Sequence, residues 1–361
     1  MHQCVAAAGL GDAITNFAFE LQSILRAEGF QSEIFAPLDY VPSEYRNTRI
    51  RPLSALTHFT NSISENDPEN NLVIYHYSTG SPVTSVYANA KCQKWISYHN
   101  ITPEKYFRPF LPDQADRLRE GRESLKTLVS VTELALGDSE YNRRELMDLG
   151  FQKTDVLPLI ISADYLRSKP NPSILTQYKD GKTNILFVGR IAPNKRFEDL
   201  IKTFYYYHHI LNKNSRLILA GSPNGCEPYF AYLKMLVIDA GLSESVVFTG
   251  RVLLSDLIAY YQSATAFLCL SQHEGFCLPL LEAMHFGIPV FALAESAIPE
   301  TLGGAGVLIR ENDFKKIAEL LNEILKKQDL LKEILSKQHQ RLLTFEKSLL
   351  CKKLLRLIYD R

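Results

Sequence analysis

The stretch 264–293 limits what this chain can fold into more than any other part of it. An apolar run, Ala264-Thr-Ala-Phe-Leu-Cys-Leu270, reads as a buried strand, and a polar loop containing Glu274 and Gly275 follows it. Pro279 sits where the first turn of a helix tolerates proline. Gly287 then stops that helix before a second apolar run, 288–293. Strand, loop, helix, strand is the grammar of a parallel sheet covered by helices. The order places Glu274 in the loop at the carboxyl edge of the sheet and Glu282 in or near the first helical turn.

Ligands bind at that edge in open α/β sheets. A helix N-terminus there offers unpaired N–H groups and partial positive charge, which suits phosphate. The backbone of Gly275, Phe276, Cys277 and Leu278 is placed to face an anion, and Gly275 lets it come close. The two glutamates are then available to hydroxyl groups. A ligand with a diphosphate in its middle and hydroxyls at both ends fits this arrangement, and a nucleotide sugar has that form. The plain alternative, that both carboxylates merely favour the positive end of the helix, stays open on these residues alone.

Glu274 and Glu282, with seven residues between them, resemble the E-x7-E motif of the retaining, family 4-type glycosyltransferases of GT-B fold. The full phrase EGFCLPLLEAMHFGIPV is similar to that family's pattern, with Cys277 where a glycine is usual. A second phrase, VGRIAPNKRFEDLI, resembles the family's donor-phosphate loop, with Arg196 where a glycine is usual.

At 361 residues the chain has room for two domains, each with its own core. Lys plus Arg equals Asp plus Glu at 40 each, so the basic excess of a nucleic-acid binder is missing. Six cysteines, at 4, 92, 226, 269, 277 and 351, show no paired spacing and read as thiols of a reducing compartment. The start, MHQCVAAAGLGDAITN, reads as a first strand rather than a secretory leader, and no run reaches the length of a membrane span.

In the first half, the apolar run 5–8 ends in Gly9-Leu-Gly11-Asp12, a strand-to-helix turn. Ile14 occupies the place of the third glycine of a dinucleotide fingerprint, which disfavours a dehydrogenase. Two further strands end in histidine, at His76 and His99, where a parallel strand meets the ligand edge. A histidine there is either a hydrogen-bonded structural residue or a ligand contact. A strand over 134–139 leads to a helix with Ser139 as its cap, and the run 156–161 reads as the last strand of this half. Pro170 and Pro172 within polar residues read as a stiff linker, after which the strand pattern restarts at Asn184.

In the second half, Gly189-Arg190 and Lys195 bring cations to a strand end, where a fork of N–H donors and a point charge suit phosphate. Pro299-Glu300 and the Gly303-Gly304 pair read as a loop, and everything from Phe314 onward reads as helix.

The resemblance spans nearly the whole chain. It implies two Rossmann-like domains facing a cleft: 1–167, on the acceptor side, joined by a final helix at about 341–361, and 174–340, which binds the nucleotide sugar. It implies that His99, Glu274, Arg190 and Lys195 are catalytic. It implies that Gly11, Gly189, Arg251, Val252, Gly275, Phe276, Cys277, Leu278 and Glu282 also line the donor site. His76 falls at a more variable position. The expected reaction moves a hexose from a UDP- or GDP-sugar to an acceptor hydroxyl with retention of configuration. No cofactor is expected and no metal, since no DxD stands between a strand and a loop. The expected partners are the donor and a saccharide, glycolipid or small-molecule acceptor, with no nucleic acid. The setting implied is the cytoplasm, with room for peripheral contact at the inner face of the membrane, in bacterial polysaccharide or glycolipid assembly. A nucleotide-sugar epimerase and a non-catalytic scaffold of the same fold are the alternatives.

Overall fold

The computed structural model describes residues 1–62, 71–160 and 166–360. The chain divides into two compact units, each built on an all-parallel sheet.

The first unit holds residues 1–104, 113–160 and 347–361. Its strands are β1 (His2–Val5), β2 (Ile34–Ala36), β3 (Ile50–Pro52), β4 (Leu72–Tyr77), β5 (Gln93–Tyr98), β6 (Leu134–Gly137) and β7 (Thr154–Val156). They lie in the order β3-β2-β1-β4-β5-β6-β7. The order reverses between β1 and β4, which makes the carboxyl ends of those two strands the natural ligand edge. β1, β2 and β4 are buried along their whole length, as strands covered on both faces should be, although His2, Gln3 and His76 are polar. Helix α1 (Ala13–Ala27) starts at Asp12, whose carboxylate accepts from the Thr15 N–H at 2.8 Å. Gly11 before it holds φ +73°, which the turn requires.

Helices α2 (Leu53–Ser62), α3 (Val83–Asn89), α4 (Pro112–Lys126) and α5 (Glu140–Asp148) complete the layers, and Ser139 caps α5 as its sequence implies. Two details differ from the sequence reading. β3 is an additional short edge strand, whose Ile50 joins the core of Val5, Phe19, Ile34 and Val41. The last strand ends at Val156, because Pro158 has no N–H to donate to a ladder; Ile161 lies outside the described residues.

The second unit holds residues 105–112 and 161–346. Helix α6 (Pro172–Tyr178) leads into β8 (Thr183–Val188), and the rest alternates: α7 (Phe197–Tyr206), β9 (Ser215–Ala220), α8 (Glu227–Asp239), β10 (Val246–Gly250), α9 (Leu254–Ser263), β11 (Ala266–Cys269), α10 (Leu278–His285), β12 (Val290–Leu293), α11 (Ile298–Leu302), β13 (Val307–Ile309), α12 (Phe314–Lys326) and α13 (Gln328–Leu343). The strand order is β10-β9-β8-β11-β12-β13, with the reversal between β8 and β11.

The supposed linker is therefore partly helix. Asn171 caps α6 by accepting from the Ser173 N–H, and Pro172 takes the first helical position. The supposed loop at 298–302 is the one-turn helix α11, closed by Gly303 at φ +56°. The final helix α14 (Lys347–Tyr359) begins later than expected and returns to the first unit, where Lys353 pairs with Asp155 at 3.1 Å. Residues before it stay with the second unit for a physical reason: the Arg341 guanidinium donates to the Glu300 and Thr301 carbonyls, and the Phe345 ring meets Phe276 edge-on. Segment 105–112 joins the second unit for a similar reason, since Phe110 packs on Tyr229 and Tyr232 of α8.

Candidate functional site

The second unit gathers its candidate residues at the carboxyl ends of β8 and β11, on either side of the reversal in strand order. Gly189 and Arg190 follow β8 directly, and the chain then turns back so that Lys195 Cε lies 3.9 Å from where a Cβ on Gly189 would stand. That turn depends on Gly221 at the end of β9. A Cβ on Gly221 would stand 1.9 Å from the Gly189 carbonyl oxygen.

The loop after β11 is tied to this turn through main chain. The Gln272 N–H donates to the Asn194 carbonyl at 3.0 Å, and Asn194 Nδ2 donates to the His273 carbonyl at 2.9 Å. On its other side the loop is fastened to the α11 segment. Ser296 Oγ accepts from the Glu274 N–H at 2.8 Å, and Thr301 Oγ1 donates to the Phe276 carbonyl at 2.5 Å. These bonds fix the backbone on which Glu274 stands.

Lys195 Nζ donates to Glu274 Oε2 at 2.5 Å, so the two phrases recognised in the sequence meet side chain to side chain. Burial works against the lysine's charge. The Glu274 carboxylate, with Cys277 and Cys269 behind it, outweighs that and raises the Lys195 pKa above its ordinary value. Glu274 itself is 7% exposed, and its Oε1 is buried with no hydrogen-bond partner. A buried carboxylate oxygen in that condition costs free energy until a donor reaches it.

Helix α10 starts immediately beyond. Cys277 is its cap residue, in the left-handed conformation at φ +68° and ψ 61°, with no side-chain cap bond. Among the described residues the backbone N–H groups of Phe276 and Cys277 donate to no protein acceptor. An unoccupied carboxylate oxygen and free N–H groups thus stand within one loop, beside a lysine.

Glu282 falls in the second turn of α10, not the first, because the helix begins at Leu278. Burial raises its pKa, opposed by the Tyr261 hydroxyl, which donates to Oε2 at 2.6 Å. Arg190 is exposed, and its guanidinium makes no ion pair or hydrogen bond among the described residues. Gly250 ends β10 at φ +68°, leaving Arg251 exposed and Val252 half-buried just after it. Leu278 is half-buried and Gly275 stands between Glu274 and the cap. Arg196, the other cation of the first phrase, is spent on Glu198 and Asp199 at 2.8 and 2.9 Å, so it is not a free phosphate ligand.

In the first unit a different arrangement stands at the edge of β4, β5 and β6. His76 Nε2 lies 2.8 Å from Gln3 Oε1, His76 Nδ1 lies 3.0 Å from His99 Nε2, and His99 Nδ1 lies 2.9 Å from Asp138 Oδ2. The two imidazoles are nearly coplanar, with the edge of Phe17 against both. Burial holds His76 well below its ordinary pKa, aided by His99, and burial raises Asp138 against the pull of His99. Both ring nitrogens of His99 are therefore engaged, and a ligand contact from either requires exchange of a bond. A hollow of about 240 Å³, lined by Gly9, Asp12, Ile14, His76 and Thr79 among others, opens beside this chain. Gly11 lies in the same turn but not among its lining residues.

Sequence reasoning missed several of these partners. Asp138 follows β6 in register with His99 after β5, since Tyr98 pairs with Gly137, and polar residues ending adjacent strands were the available signal. Tyr261, Ser296 and Thr301 carry no signal of their own; only the packing reveals them. Tyr106 reaches the same loop, its hydroxyl 3.4 Å from the Gln272 carbonyl and its ring beside His273.

Residues 176–341 match the family model described as Glycosyl transferases group 1. The chain is 29% identical over 210 residues to O-antigen chain mannosyltransferase B of Escherichia coli, covering 56% of this chain and 54% of that protein. It is 25% identical over 183 residues to a GDP-mannose-dependent alpha-(1-6)-phosphatidylinositol monomannoside mannosyltransferase of Mycobacterium tuberculosis, covering 47% of this chain and 46% of that one. The chain thus spans about half the length of these curated relatives. Among solved structures, Anabaena Alr3699/HepE in complex with UDP and glucose superposes with a TM-score of 0.77 at 14% identity, covering 100% of this chain and 99% of that one. WaaG, a glycosyltransferase involved in lipopolysaccharide biosynthesis, gives 0.70 at 14%, with 99% of each chain covered.

Proposed function

Because residues 176–341 match the Glycosyl transferases group 1 model and the chain shares the GT-B fold, we propose that the protein transfers a hexose from a nucleotide-sugar donor to an acceptor hydroxyl. The donor is a UDP- or GDP-sugar, and the configuration at the anomeric carbon is retained. The mannosyltransferases among the relatives make GDP-mannose the first donor to assay, with a polysaccharide or glycolipid acceptor.

The observation that carries this reading is the loop after β11. It offers a buried, unpartnered Glu274 oxygen and free N–H groups at a helix N-terminus, next to Lys195. The N–H groups, Lys195 and Arg190 receive the diphosphate and stabilise it as it leaves with the electron pair of the bond to the anomeric carbon. Glu274 takes a hydroxyl of the donor sugar on its open oxygen, which orients the ring and supports positive charge at the anomeric carbon. Glu282 takes the ribose hydroxyls, and the main chain at Gly189, Arg251 and Val252 flanks the nucleotide. Nothing in this scheme asks for a metal, so activity should survive a chelator. A glycolipid acceptor would call for peripheral contact with a membrane; no helix among the described residues is long and apolar enough to cross one.

Calorimetric titration with UDP, GDP and ADP tests the reading first. Binding of one nucleotide is the expected result, and binding of none overturns the function. With the matching nucleotide sugar and an acceptor, Lys195→Ala and Glu274→Ala should each lower kcat/KM by about 100-fold or more while circular dichroism stays unchanged. Full activity in either variant overturns the assignment of roles. Interconversion of donors with no acceptor present would identify an epimerase instead.

A further inference from the structure

Cys269 ends β11 and Cys277 caps α10, and their sulfurs lie 4.0 Å apart in the interior. Both are buried, at 0% and 6% exposure, and both are free thiols. One carboxylate oxygen of Glu274 lies within 4.8 Å of both sulfurs. The 4.0 Å separation is far from the length of a disulfide, about 2.05 Å. It is close to the spacing of two thiolates on one tetrahedral zinc ion: with Zn–S bonds of about 2.3 Å, the sulfurs stand about 3.8 Å apart.

We propose that Cys269, Cys277 and Glu274 form a binding site for a thiophilic divalent cation of the zinc class, and that occupation of this site shuts the donor site.

Two observations and a charge count support the site. The bite of the two sulfurs matches the ion. The carboxylate between them in sequence has a buried oxygen, Oε1, that no protein donor satisfies. The charges also balance, because two thiolates and one carboxylate offset a divalent cation together with the neighbouring Lys195 ammonium. Three protein ligands leave a fourth position for water. Cys277 stands where the resembling phrase has glycine, so the site belongs to this chain and not to the phrase. Cys277 holds a left-handed backbone, φ +68°, and its sulfur lies 4.0 Å from that of Cys269.

The ion is an inhibitor rather than a cofactor. Binding releases the two thiol protons to solvent and engages the Glu274 carboxylate that the sugar would use. That consequence rests on the donor-site reading; the binding itself does not.

Cadmium ion tests the site on the full chain under reducing conditions, through its thiolate charge-transfer absorption in the ultraviolet. The expected result is a band that saturates at one ion per chain. Cys269→Ala and Cys277→Gly should each weaken binding about 100-fold or more. The glycine variant is free to adopt the left-handed cap, so one of the two should remain folded. Cys226→Ser, far from the cluster in sequence and not among its ligands, should leave the band unchanged. A missing band, or a band that persists in both cluster variants, overturns the proposal. In a second arm, zinc ion should block nucleotide-sugar binding in the wild type and not in Cys269→Ala. If the band appears but no nucleotide binds in the absence of metal, the cation site stands and the donor-site reading falls.

Discussion

Single residues carry much of the cost of this fold, and two of the left-handed ones show how. Arg196 and Cys277 replace glycines in the phrases that identified the site, and both hold positive φ, 53° and 68°. A non-glycine residue there costs about 1 kcal/mol or more. Arg196 offsets this with its ion pairs to Glu198 and Asp199, and Cys277 with burial of its side chain beside Cys269. The backbone shape was thus legible from the phrases, whereas the compensation was not. His76 yields a prediction at the same scale. It is fully buried between Gln3 and His99, with Phe17 edge-on, and its pKa is held well below 6.5. The unfolded chain therefore binds a proton below 6.5 that the folded chain refuses. Stability from this group is present above 6.5 and is lost as pH falls, by about 1.4 kcal/mol per pH unit. His2, lowered to about 4 by burial and then by the amino terminus, acts in the same direction over 6.5 to 4. Asp138, raised by burial, acts oppositely: it favours the folded state as pH falls through its own raised pKa. Urea unfolding at pH 7, 6 and 5 should show a shallower acid loss in His76→Asn than in the wild type. Equal slopes would reject this account.

At the scale of elements, the strands around the site were readable because each is a short apolar run ended by a polar or glycine residue. After Phe314 the sequence marked helix throughout but did not fix where each helix ends. Their apolar stripes run on, and the breaks at Lys327 and at 344–346 answer to tertiary anchors such as Arg341 and Phe345. The last helix, α14, buries Leu350, Leu354 and Ile358 in the first unit while Leu349 is 47% exposed. Leu354→Ala should cost about 3 kcal/mol, by lost transfer energy and the cavity left behind. Leu349→Ala should cost little. Thermal unfolding followed by circular dichroism separates them, and equal midpoints for the two variants would mean that α14 does not dock as described.

At the scale of the whole molecule, the chain is two parallel α/β units, each with its own core, and the candidate donor residues with the unpartnered oxygen belong to the second. A nucleotide that binds there stabilises the second unit first, by about 2.7 kcal/mol at a hundredfold excess over Kd. Scanning calorimetry should resolve the two units, with the matching nucleotide raising one midpoint; a ligand that moves neither would contradict its site. The sequence by itself determined that there would be two such units and which phrases would edge the second sheet. Apolar runs, helix stops and glycine turns are local features, and the physics of a strand or a cap is settled within a few residues. What only the tertiary structure decided is which atoms meet. Lys195 bonds Glu274 across 79 positions of sequence, His99 is engaged on both sides by His76 and Asp138, and segment 105–112 leaves its own half to pack on α8. Those pairings follow from strand order and from burial, which bring distant residues into contact with no trace in the local pattern.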